Sequence, residues 1–137
     1  MIYGKGSKGN YPRLAKLAQK TPMFPDYNNA RSMLHIDNLC EFLKIMVDEE
    51  ESGLYYPQNK EYVNTSQLVK MIAEAHGKKI WMTRMMNPLI KSLFTVNTVN
   101  KMFGNLVYDK EMSIYAKRKY QIRNFEETIL LTERDGE

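Results

Sequence analysis

The stretch VNTSQLVKMIAEAHGKK, Val63 to Lys79, constrains this chain more than any other. Asn64 or Thr65 stands where a helix N-cap belongs, and Gln67 follows Asn64 by three residues, as in a capping box. Leu68, Met71, Ile72 and Ala75 recur at helical spacing and are expected to face a core. Gly77 sits where a C-terminal glycine belongs. A helix with one apolar face needs other elements to cover it.

Most of those elements also read as helices. Tyr11 to Lys20 forms one, with Asn10 as its N-cap, Pro12 in the first turn and Leu14, Leu17 and Ala18 inward. Asp37 is expected to cap another, with Leu39, Phe42, Leu43 and Met46 inward and Glu49 to Glu51 ending it in solvent. NPLIKSLFTVNTVNKMFGN supplies two short helices, opening at Asn87-Pro88 and closing at Gly104, and YDKEMSIY and NFEETILLTE add helical turns. Strands are short and sparse: TPMFP, RSMLHI, GLYYP stopped by Pro57, and IWMTRM, with DYNNA as a turn. The chain is therefore mixed α/β and helix-rich. It lacks the roughly five or six buried strands of a complete doubly wound sheet.

The 137 residues make one domain, without repeats or low-complexity linkers, and 43% hydrophobic with 26% charged residues is ordinary globular composition. The net charge of +4 suits an anionic partner. It is not concentrated as in a nucleic-acid binder, because Glu49 to Ser52 and the terminal ERDGE interrupt it. The single cysteine, Cys40, excludes an internal disulfide framework and is read as core, as are most of the ten methionines. No apolar run approaches the roughly 18 residues of a membrane span. No signal peptide is recognised, so a cytoplasmic location and no membrane partner are expected.

Candidate chemistry begins in GKGSKG. Asn10 and Tyr11 stand where a P-loop needs Lys and Ser/Thr. Gly4, Gly6 and Gly9 meet the dinucleotide spacing only formally, since no adequate strand precedes them. With Lys5, Lys8 and a helix start nearby, the loop is either an anion cradle or a solvated glycine turn. Arg31 either forks onto a phosphate or carboxylate or makes a surface ion pair. His35 reads as structural, and no second histidine lies near it in the sequence to suggest a metal site. No acid-base pair stands out. Tyr115 and Lys119 match Y-x-x-x-K by spacing alone.

Four stretches, in order, resemble the C-terminal half of an extended short-chain dehydrogenase/reductase of the NAD-dependent nucleotide-sugar epimerase/dehydratase family, UDP-glucose 4-epimerase-like. MIYGKGSKGNYPRLAKLA resembles the family's N-x-Y-G-P-G and following helix. PMFPDYNNARSMLHIDNLCEFL resembles I-F-G and R-D-[YF]-[IV]-H-V-x-D-L. GLYYPQNKEYVNTSQLVKMIAEAHGKK resembles G-x-Y-N-[ILV]-G and S-x-x-E-L-x-x-x-[IL], and YQIRNFEETI the terminal P-x-x-[ST]-[LF]-E-E-G-I. The likeness spans nearly the whole chain and is weak from Ile80 to Asn100.

The resemblance implies a single substrate-binding portion over residues 1–137, lacking most of the Rossmann sheet and the N-terminal NAD(P)-binding domain. It implies a nucleotide-sugar ligand, a UDP-sugar first. Arg31 matches the arginine on the diphosphate and Phe24 an aromatic near the base, while Gly4, Lys8 and Asn10 fall in the segment leading to the pocket. Lys101 stands in for the usual second arginine, Met1 for an asparagine and Lys5 for a proline. No catalytic residue is expected here, since the family's glycine fingerprint and Tyr-x-x-x-Lys belong upstream. Tyr56 is expected in the last parallel strand, exposing an apolar face from Leu54 that invites homo-oligomers. The rival reading is a stand-alone basic module for phosphate or nucleic acid.

Overall fold

The computed structural model describes residues 1–134; the end of the acidic terminal run, positions 135–137, lies outside them. Their order is β1 (Ile2–Tyr3), α1 (Asn10–Lys20), β2 (Met23–Pro25), β3 (Leu34–His35), α2 (Ile36–Asp48), α3 (Thr65–Ala75), β4 (Trp81–Thr83), α4 (Asn87–Ser92), α5 (Asn97–Phe103) and α6 (Phe125–Glu133). A single 3-10 turn, Glu111–Ser113, precedes α6. The fold is mixed α/β, with two small parallel sheets. β1 pairs β3, Ile2 opposite Leu34, and β2 pairs β4, Phe24 opposite Met82.

The punctuated helix is the centre of the molecule. Asn64 accepts a hydrogen bond from the Gln67 amide at 3.0 Å through its side chain, and Gly77 follows the C-terminus at φ 67. α3 packs against both α1 and α6, so Leu68, Val69, Ile72 and Ala73 are all buried. Tyr3, Leu14, Phe24, Val63, Phe103 and Ile129 complete that core, and Leu34, Phe42, Ile45 and Tyr120 form a second one over α2. DYNNA is not a closed turn. It crosses the start of α3, where the buried Asn29 donates to Thr65 Oγ1 and accepts from the Thr65 amide, each at 2.9 Å.

Several expectations need correcting. Asn10 is the first residue of α1, and Gly9, at φ 98, holds the cap position without a side-chain bond. His35, not Asp37, caps α2: its Nδ1 accepts from the Asp37 amide at 3.3 Å. α2 turns Asn38, Phe42 and Ile45 inward, which leaves Cys40 and Leu43 exposed. Apolar spacing missed this because the stripe begins on an amide. Asn38 accepts from the Arg123 amide at 2.9 Å and donates to its carbonyl at 3.1 Å, so a polar side chain is satisfied in the interior. Of the ten methionines, Met33 is the one in the buried core among the described residues, and Met85 is 86% exposed. GLYYP forms no strand: the Tyr56 amide donates to the Met112 carbonyl at 3.0 Å, with no ladder around it.

Candidate functional site

The site assembles where α1 begins. Its first turn carries no acidic residue and no side-chain cap, so its first amides point outward with the positive end of the helix dipole. Asn10 and Arg13 stand on that turn. α5 crosses beside it and contributes Asn97, Thr98 and Lys101, while Leu14 and Met102 complete the lining. The cleft encloses about 110 Å³, the share of roughly four water molecules. That is room for a phosphoryl group.

The chemistry is that of an anion site: two cationic side chains and neutral hydrogen-bonding groups, with no carboxylate among the lining residues. A larger cleft of about 600 Å³ is lined by Lys60, Lys119 and Arg123, but also by Glu61, Glu126 and Glu127. An anion there would face carboxylates. Glu127 is engaged besides, accepting from the Asn124 amide at 3.0 Å in a reciprocal capping box.

Arg31 reaches the same helix from the other end. Its backbone bonds Val63 in both directions, at 3.0 and 2.9 Å, and its Nη1 donates to the Gly104 carbonyl, just past α5, at 2.8 Å. Burial lowers its pKa from the ordinary value. The half-exposed guanidinium is thus fixed one short step beyond Lys101 in the chain. Lys8 is exposed in the loop before α1.

The other two sequence candidates point inward. Phe24 is buried, 5.7 Å from the Phe103 ring centroid. Gly4 is buried beneath Ile36, and a Cβ there would lie 2.5 Å from Ile36 Cγ2. That packing also argues against a dinucleotide on the glycine loop, because the backbone a pyrophosphate would approach is covered at Gly4. The two-residue β1 before it is short for the fingerprint. The glycine loop therefore does not fit the dinucleotide fingerprint.

Tyr115 and Lys119 are not on a helix, and the Tyr115 hydroxyl donates to Glu51, which also pairs with Lys117. His35 is buried and structural, and no group of three or more potential metal ligands exists among the described residues. Sequence reading missed Arg13, Asn97 and Thr98. Arg13 could have been found as the cation three positions after Asn10, one turn along the same face. The α5 pair had no local signal, because only the cleft that α5 shares with the start of α1 gives it meaning.

Among the described residues no helix is long and apolar enough to cross a membrane. No protein-family model, curated protein or solved structure matches the chain.

Proposed function

We propose that this chain is the nucleotide-sugar-binding portion of an NAD(P)-dependent nucleotide-sugar 4-epimerase, UDP-glucose 4-epimerase-like, whose cofactor and acid-base pair are carried by a Rossmann domain outside the chain. A 4-ketoreductase or dehydratase of the same family would use the same ligand. One observation carries the reading: Asn10 and Lys101, singled out from distant parts of the sequence, line one carboxylate-free cleft at a helix N-terminus. In this reading the cleft takes one phosphoryl group of the diphosphate, with Arg13 and Lys101 neutralising its charge and the α1 amides donating to it. Lys8, exposed before α1, and Arg31, held on the Gly104 carbonyl, are not among the residues that line the cleft. Phe24 acts by supporting α5 through Phe103 rather than by touching the base. This portion binds and orients; the hydride and proton steps belong to the other domain.

Calorimetric titration with UDP, a UDP-sugar and uridine tests this. UDP and the UDP-sugar bind, uridine does not, and Arg13→Ala and Lys101→Ala each weaken UDP about tenfold, as expected for losing one charge-assisted contact. Equal binding of uridine and UDP would remove the diphosphate assignment. Steeply salt-dependent RNA or DNA binding, with no response to UDP, would favour the basic module instead.

A further inference from the structure

Residues 75–108 carry five basic side chains, Lys78, Lys79, Arg84, Lys91 and Lys101, and no Asp or Glu at all. The same stretch also leaves several large apolar side chains open to solvent. Trp81 is 66% exposed, Met85 86% and Leu89 56%, and Leu93 and Val96 are also open to solvent. Leu89 and Leu93 are one helical turn apart, the Leu93 amide donating to the Leu89 carbonyl at 3.1 Å, and Met85 lies in the turn that leads into α4. Ile90, the next residue after Leu89, is the buried side chain of α4. Trp81 stands opposite Met23 in the β2–β4 register, and Met23 is exposed too. The structure thus leaves several bulky apolar groups exposed in a segment whose formal charges are all positive.

Such a patch is unfavourable in water unless something covers it. A second copy is a poor cover. In a two-fold contact the same surface meets itself, which would set an all-basic segment against its own like charges. The fitting partner is apolar beneath a negatively charged surface. Trp81 has an amphipathic ring suited to a membrane interface, and Lys79 and Lys91, both exposed, are long enough to reach headgroup phosphates while their stems lie on apolar surface. Arg84 already shares its charge with Asp26 at 2.8 Å, and Lys78 donates to the Gln19 carbonyl, so Lys79 and Lys91 are the cations placed for a bilayer.

We propose that the β4–α4 face docks peripherally on an anionic phospholipid surface. No spanning helix is needed. The inference reverses the expectation of no membrane partner, which rested on the absence of a span and of a signal peptide. It stands apart from the phosphate cleft, whose Lys101 it does not use.

Trp81 is the single tryptophan, so its fluorescence reports this face directly. With vesicles of phosphatidylglycerol and phosphatidylcholine, the emission shifts to the blue and the protein co-sediments; with phosphatidylcholine alone it does neither, and added salt reverses the effect. Lys79→Glu combined with Lys91→Glu lowers the partition coefficient at least twentyfold, on the basis of about fivefold for each lysine near an anionic surface. Leu89→Ser weakens it without changing the salt dependence. An unshifted emission with both vesicles overturns the proposal, as does equal binding to both. A blue shift that grows with protein concentration in the absence of lipid, together with a doubled mass by light scattering, assigns the face to a second copy and also overturns it.

Discussion

The Tyr3 hydroxyl lies 2.6 Å from Oγ1 of Thr128, joining β1 to α6 across the core. Thr128 Oγ1 donates to the Phe125 carbonyl, so Tyr3 is the donor in this pair, and it accepts in turn from Asn59 Nδ2 at 3.0 Å. Tyr3→Phe removes both links and leaves the buried Asn59 amide without that acceptor. The expected loss is about 1–3 kcal/mol of unfolding free energy, read from the urea midpoint at unchanged m-value.

Tyr11 stacks on Tyr3 with ring centroids 5.2 Å apart, yet its buried hydroxyl makes no hydrogen bond of good geometry. Burial first, and then the neighbouring Glu133 carboxylate, push its pKa far above the ordinary 10.0. The phenol stays neutral in the fold and ionises once the chain unfolds. Above about pH 10 the unfolded state therefore holds fewer protons, and stability falls as pH rises. Tyr11→Phe should change stability at neutral pH by less than about 1 kcal/mol, well below the cost of Tyr3→Phe. It should also soften the alkaline loss. A large neutral-pH destabilisation would show that the hydroxyl is well bonded after all.

Gly4→Ala should be costly for a local reason. The new Cβ would stand 2.5 Å from Ile36 Cγ2, and neither β1 nor the start of α2 can withdraw freely. A loss of about 1–3 kcal/mol is expected. In an Ile36→Ala background the same substitution should cost less, and a double-mutant cycle by denaturant unfolding measures the difference. An additive cycle would mean that the cost lies in the backbone instead.

His35 should make the fold acid-sensitive. Burial lowers its pKa from the ordinary 6.5, Asp37 opposes that shift and Arg123 adds to it. A histidine that resists protonation in the fold contributes stability above the unfolded pKa, and that contribution is lost as pH falls below it. Protonating Nδ1 also takes away the acceptor that caps α2. The urea midpoint should drop between about pH 7.5 and about pH 5, and drop less in His35→Asn, whose side chain caps without titrating in this range. The same drop in both proteins would move the effect to another group.

Local chemistry was enough to read α3, since Asn64, the apolar spacing and Gly77 each act within a few residues of the helix they punctuate. The same holds for the start of α4 at Asn87-Pro88, the end of α5 at Gly104, and the short β2 and β4. It failed where a distant group supplied the missing half of an interaction. The inward side of α2 follows from the Arg123 backbone that satisfies Asn38, and GLYYP lacks a strand because no neighbour offers it a ladder. The site divides in the same way. Asn10 and Lys101 were legible as polar groups in plausible segments, whereas their meeting, and the part of Arg13 and Thr98, depended on α5 and the start of α1 lining one cleft. By itself the sequence determined the helices and the supply of cations. The tertiary structure alone decided which cations share a cleft and which apolar side chains remain uncovered, because burial and charge proximity depend on distances that chain order does not contain.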